Sequence, residues 1–315
     1  MKLFKKNIFI IILYISNIKS INEFIIYSPS QIEEHKIRAK EIMLANLNLS
    51  DSTYQMNRAL KTISGTDCDY IPKVKDAGEI FFNGELFYQL MHNGVKIVLN
   101  SYYDVQWATD VIYGLKGHHE PQEEKCFYEV LKYIPENATM LELGSFWAYY
   151  SLWFAFSIKG AKNYLIEPDP KRLEVGKKNF ALNNKVGIFK QGCVGKIIDE
   201  DLVHLKDVEQ VILEDFIEKE KIEHIHILHA DIQGSEYDML KTLKRNIYKI
   251  DYFFISTHGY EGINSTHLDC ISYLKNHNFI ILAEHTHKES CSGDGLIVAK
   301  RNGVKGPDYI SIQKY

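Results

Sequence analysis

Past residue 120 the chain settles into a regular alternation. Short apolar runs are separated by longer segments in which apolar side chains recur every three or four positions. The first pattern suits strands buried on both faces, and the second suits helices with one buried stripe. It predicts strands over 139–144, 163–167, 186–191, 225–231, 252–257, 279–283 and 295–299. It predicts helices over 123–133, 149–157, 170–183, 215–220, 235–243 and 266–276. Pro170 suits a first helical turn, and Asn183-Asn184 suits its end. Helices between successive strands imply a parallel sheet. The last two strands are joined by a polar loop with no helix, so the final strand should run antiparallel. The expected fold is a doubly wound, mostly parallel seven-stranded α/β sheet of Rossmann-like type with an antiparallel last strand.

The first part of the chain is less regular. Residues 31–46 read as a surface helix, and 50–53 and 64–69 read as loops. Asn83-Gly84 and Asn93-Gly94 separate β-rich runs between 79 and 99, which predicts a small antiparallel meander of hairpins. Three regions follow: an apolar segment over 1–25, an α+β extension with hairpins over 26–116, and the main domain over 117–315. In the first region, Lys2, Lys5 and Lys6 precede an apolar run from Ile8 to Ile15. Counted on to Ile18 the stretch is roughly a dozen residues, the size of a signal-peptide core and short for a membrane span. A signal peptide, a short anchor acting through residues 7–18, and an ordinary apolar terminus all remain open.

The bulk properties narrow the classes. The chain has 315 residues, 45% of them hydrophobic, enough for a large core. The formal charge is -4 with both signs interspersed. The basic stripe of a nucleic-acid binder is missing, so the expected partner is a small molecule or glycan acceptor. The five cysteines are scattered, with no C-x-x-C pair. That argues against a disulfide framework or zinc cluster, so no metal is expected, and it fits a reducing, cytoplasmic setting, with or without the N-terminal anchor.

Three strand ends carry the candidate chemistry. The first is Leu141-Glu142-Leu143-Gly144-Ser145-Phe146-Trp147-Ala148, a buried strand followed by a tight turn. A dinucleotide turn needs three glycines so that a pyrophosphate can rest on the helix N-terminus. Only Gly144 is glycine here, and Phe146 would crowd a pyrophosphate. A cofactor without phosphates needs only the close approach at Gly144 and the small Ala148, and S-adenosylmethionine is such a cofactor. The second end is Glu167, about two dozen residues on, where a ribose diol needs an acceptor; Asp169 after it suits a helix cap. The third is Asp231-Ile232-Gln233-Gly234-Ser235-Glu236, at the edge where open α/β sheets bind ligands. Glu236 would also sit well against a helix dipole. Histidines stand near this face as well: His118-His119, His258, and His285 with His287. One of them could act as a base; metal ligation with Asp231 is disfavoured, because no pair has helix-ligand spacing.

Leu141-Glu142-Leu143-Gly144, Ile166-Glu167-Pro168-Asp169 and above all Asp231-Ile232-Gln233-Gly234-Ser235-Glu236 resemble the FkbM-type family of class I S-adenosylmethionine-dependent methyltransferases. The resemblance spans roughly residues 117–300. The family turn usually runs Asp-x-Gly-Ala-Asn-x-Gly, whereas Glu142 and Phe146 stand here at the Asp and Asn positions. The resemblance implies O-methylation of a hydroxyl on a sugar, glycan or natural product. It implies a cofactor site of Glu142, Gly144, Ser145, Glu167, Asp231 and Gln233, with Glu167 on the ribose. A hydroxyl acceptor needs a base, for which His258, Asp231 and His119 are the candidates; His258 is favoured because a strand end is rigid. Two other classes stay in view: a nicotinamide-dependent oxidoreductase and a non-catalytic binding module. Tyr102, Tyr103 and Trp107 offer only a generic aromatic surface to an acceptor.

Overall fold

The structure is a computed structural model that describes residues 24–45, 53–102, 106–195, 205, 207–258 and 265–315. The apolar run from Ile8 and the aromatic Tyr103 lie outside the described residues. No helix among the described residues is long and apolar enough to cross a membrane.

The chain begins with β1 (Phe24–Ile25), α1 (Pro29–Ala45), α2 (Thr53–Ile63) and β2 (Lys73–Val74). The predicted meander follows as β3 (Ile80–Phe82), β4 (Phe87–Leu90) and β5 (Lys96–Val98), all antiparallel. Its first turn is longer than a two-residue Asn-Gly turn. Asn83 Oδ1 accepts from the amides of Glu85 at 3.0 Å and Leu86 at 2.9 Å, which closes a wider loop. Then comes α3 (Gln106–Gly114).

Helices α2 and α3 fall in stretches for which the sequence pattern predicted no element. Met56, Ala59, Leu60 and Ile63 recur at i, i+3, i+4 and i+7, as do Ala108, Val111, Ile112 and Leu115. Both stripes were legible, though they are framed by polar segments. With Ala39 and Met43 of α1, much of these stripes builds a small separate core. The extension is stitched to the main domain: Asn183 Oδ1 and Asn179 Oδ1 on the first long helix of that domain accept from Lys96 N at 2.9 Å and Val98 N at 2.8 Å.

The main domain runs α4 (Pro121–Leu131), β6 (Thr139–Leu143), α5 (Tyr149–Ser157), β7 (Lys162–Glu167), α6 (Pro170–Leu182) and β8 (Ile188–Gln191). It continues with α7 (Leu213–Lys219), β9 (Ile225–Ala230), α8 (Glu236–Thr242), β10 (Ile250–Thr257), α9 (Ser265–Asn276), β11 (Phe279–His285) and β12 (Gly295–Arg301). The sheet order is β11-β12-β10-β9-β6-β7-β8. β12 is antiparallel to both neighbours, and the other pairs are parallel, as expected. Every residue of β6 and β10 is buried, because helices cover both faces. Met140, Ile227 and Phe254 pack with α5 on one face, and Leu141, Leu228 and Ile255 pack with α8 on the other. Asp169 caps α6 by accepting from Lys171 N at 2.7 Å.

The chain leaves β6 outward through β7 and β8, then returns to place β9 on the other side of β6. Their carboxyl ends therefore form the switch point of the sheet, the place where such sheets bind ligands. The two strands converge past the sheet itself: Asp231 N donates to Leu143 O at 3.0 Å. Gly144, at φ +71°, leaves its Cβ position inside the Asp231 carbonyl oxygen. Gly144→Ala combines left-handed strain with a backbone collision. We expect it to cost on the order of 3 kcal/mol or more, read as a lower midpoint in urea unfolding; an unchanged midpoint would contradict this packing.

Candidate functional site

The turn after β6 is held from β7. Ile166 O accepts from Gly144 N at 2.9 Å and Ser145 N at 3.1 Å. Phe146 and Ala148 both take left-handed backbone, at φ +41° and +63°. Glu167, 2% exposed at the end of β7, accepts from Phe146 N at 2.9 Å through Oε2 and from Asp169 N at 3.0 Å through Oε1. Burial pushes its carboxyl up to about 7, against the pull of those two amides and of Arg172. Each oxygen keeps a second lone pair, so the group can still accept from a diol. Ser145 Oγ is buried without a hydrogen-bond partner among the described residues. The Glu142 side chain does something different: its Oε2 accepts from Ser151 N at 3.2 Å and so caps α5. Of the expected cofactor residues, Gly144, Ser145 and Glu167 gather on one ledge, with Glu142 contributing its main chain.

The second half of the site gathers around His258. Its Nδ1 is 2.9 Å from Glu236 Oε1, and its Nε2 is 3.4 Å from both Asp231 Oδ1 and Asp294 Oδ1. Gln233 Nε2 donates to Asp231 Oδ1 at 2.7 Å and sits 2.9 Å from His258 Nε2. Burial works against a charge on His258, but Asp294, Glu236 and Asp231 together push it up to about 10. The three carboxylates thus favour the protonated form of His258. The Asp231 carboxyl, 37% exposed, is raised to about 7 by desolvation and by Asp294, Glu120 and Glu123, against the pull of His258.

His119 sits apart from this group, inside an aromatic box. It is 2% exposed and boxed by Tyr102, Trp147 and Tyr149. Its Nδ1 is 2.6 Å from Glu124 Oε1, and its Nε2 is 3.4 Å from Glu120 Oε2. Burial again opposes the charge, yet these two carboxylates push it up to about 10. Glu124 also accepts from the His119 and Glu120 amides at 2.7 and 3.1 Å and pairs with His118. His285 is buried and bonded to the Thr286 carbonyl at 3.1 Å.

Sequence reasoning missed several members of the site. Glu123 Oε1 lies 2.8 Å from His229 Nε2, and Glu120 accepts from Tyr150 at 3.3 Å. Arg58, on α2, reaches Asp294 at 3.3 Å. The signal for the glutamates was their place beside His118 and His119. Nothing in the sequence ties Arg58 to residues so distant along the chain.

Two groups among the described residues have metal-like composition: Cys68 with His118 and Glu124, and His224 with His226 and Asp251. Neither suits an ion. His118 spends its Nδ1 on Glu124, so a metal at its other nitrogen would face away from that carboxylate. His226 Nδ1 accepts from Thr139 N at 3.0 Å, which places the ring proton on the nitrogen a metal would need.

This strand order, with one antiparallel strand set inside the edge, is the class I methyltransferase topology. The family model described as the methyltransferase FkbM domain matches residues 189–281, the span from β8 into β11 that holds Asp231, Gln233, Glu236 and His258. Residues 189–281 are thus similar to the FkbM methyltransferase domain, in agreement with the resemblance in the motifs. No curated protein matches the chain. Among solved structures, TrmK from M. capricolum, in complex with S-adenosyl-homocysteine, is 17% identical, with 59% of this chain and 71% of that chain covered and a TM-score of 0.38. The B. subtilis M1A22 tRNA methyltransferase TrmK is 14% identical over 58% of this chain and 66% of that one, with a TM-score of 0.35. At such values the fold is read from this chain's own topology.

A pH dependence follows from Glu167. Its carboxyl is raised in the folded state, so the folded protein binds the proton more tightly than the unfolded chain does. Stability from this group is therefore present at low pH and is lost as pH climbs from the ordinary carboxylate range through about 7. Relative to the parent, Glu167→Gln should gain on the order of 1–3 kcal/mol between pH 4.5 and 7.5 in urea unfolding. A difference flat with pH would show that Glu167 titrates normally.

Proposed function

We propose that the protein is an S-adenosylmethionine-dependent O-methyltransferase whose acceptor is an uncharged hydroxyl compound such as a sugar, glycan or natural product. The observation that carries this reading is the placement of Asp231: a carboxylate at the switch point, bonded to Gln233 at 2.7 Å and 3.4 Å from His258 Nε2. The ledge beside Gly144 fits the cofactor, since Ser145 offers a buried hydroxyl with no partner among the described residues and Glu167 offers a diol acceptor. When bound, S-adenosylmethionine supplies a methyl group already activated by its sulfonium.

The residues of the chain then have distinct tasks. Glu167 holds ribose hydroxyls through the lone pairs its two amides leave unused. Asp231 takes the acceptor's hydroxyl proton as the new carbon–oxygen bond forms, since a sugar hydroxyl is barely ionised at neutral pH. Gln233 orients Asp231 through the 2.7 Å hydrogen bond. Glu120, Asp231 and Asp294 make the cleft acid-rich, which disfavours a phosphate-bearing acceptor such as a nucleic acid. A nicotinamide dinucleotide fits poorly: Glu142 already occupies an amide at the N-terminus of α5, where a pyrophosphate would sit.

Calorimetry with S-adenosylhomocysteine tests the reading. Wild-type protein should bind, and Glu167→Ala should weaken binding about tenfold or more; no heat with the intact protein would refute the assignment. With radiolabelled S-adenosylmethionine and a panel of glycans, transfer should rise with pH through about 7 and be lost in Asp231→Asn. Cofactor binding without transfer to any hydroxyl acceptor would favour a non-catalytic module instead.

A further inference from the structure

Helix α2 lies outside the sheet domain, yet one of its side chains ends at the site. Arg58 Nη2 is 3.3 Å from Asp294 Oδ2, in the turn between β11 and β12. The guanidinium crosses bare backbone at Gly293: a Cβ there, at φ +113°, would stand 3.0 Å from Arg58 Nε. One turn further along α2, the Thr62 hydroxyl donates to Cys291 O at 2.8 Å and pins the same turn. The other oxygen of Asp294 lies 3.4 Å from His258 Nε2. Among the described residues, the groups facing His258 are thus Asp231 and Gln233 after β9, Glu236 on α8, and Asp294 before β12.

We propose that Arg58 is a positioning residue for the methyl-transfer centre, holding Asp294 where its second oxygen fixes His258 against Asp231. The inference rests on the methyltransferase reading for its catalytic meaning. The contact chain itself is independent of that reading. An arginine suits the task because its planar fork sets direction as well as charge, which a lysine does not.

The two ways Arg58 could matter predict opposite signs. As a nearby cation alone, its removal would raise the pKa of His258, because a like charge is lost. As a positioning group, its removal lets Asp294 swing away, and the pKa of His258 falls. Nitrogen-15 NMR titration of the histidine rings, with His258→Gln for assignment, separates them. We expect Asp294→Asn and Arg58→Ala each to lower the His258 midpoint by about one pH unit or more, and Arg58→Lys to lower it by less. A rise or no change in Arg58→Ala overturns the proposal, whatever the cofactor does. Calorimetry of S-adenosylhomocysteine on the same samples keeps the two readings apart. Wild-type protein that fails to bind it refutes the methyltransferase assignment, and Arg58→Ala that loses binding with an unmoved His258 refutes the positioning role.

Discussion

The site depends on how closely β6 and β9 run together beyond the sheet. Two parallel strands normally diverge into their loops at the carboxyl edge. Here the pairing continues for one more hydrogen bond, from Asp231 N to Leu143 O, and only a glycine at 144 leaves room for the Asp231 main chain. Ile166 O then gathers the Gly144 and Ser145 amides, and Glu167 takes the Phe146 amide. Three strand ends are clamped into a single ledge before any ligand arrives. Such preorganisation is what a transfer reaction needs, since alignment of the reacting groups supplies much of its acceleration.

Beneath that ledge the molecule buries many charges, and it does so in matched sets. Glu124 is wholly buried, and its two oxygens take two backbone amides and two imidazoles. Breaking such a set by removing one partner costs roughly 3–5 kcal/mol, because the remaining charge is stranded. This is the physical reason that α4, a helix expected to show a charged face to water, instead turns Glu123 and Glu124 inward. The same clustering lifts Asp231 by placing further carboxylates near it.

Much of the sheet was legible from the sequence, because strands covered on both faces are continuously apolar and stand out against amphipathic helices. The antiparallel β12 was legible from a missing helix. Gly144, Glu167 and Asp231 were legible for a related reason: strand ends at a switch point are fixed by topology. The histidine roles were not. Whether His258 carries a proton depends on Asp294 and Glu236, and the placement of Asp294 involves Arg58 in a different part of the chain. Local pattern contains no term for such contacts. Helices α2 and α3 show a different failure, since their stripes were present but each was short and set among polar residues.

On the proposed reading, the relation between Asp231 and His258 lets a base work beside a cation. A tight ion pair would hold Asp231 ionised down to low pH and leave it too weak a base. Here the contact is 3.4 Å, and burial together with Asp294, Glu120 and Glu123 pulls the other way, which leaves the carboxyl near 7. Gln233 bridges the two groups and must suit both. When Asp231 is ionised, the amide NH2 faces it, and the His258 Nε2–H is left to point toward Asp294 at 3.4 Å. When Asp231 is protonated, the amide can turn its oxygen to both neighbours. The second arrangement needs no other acceptor for His258, whereas the first does. Asp294 thus faces His258 and is also one of the charges that raise Asp231, so on the proposed reading a carboxylate between β11 and β12 helps to set the strength of the base.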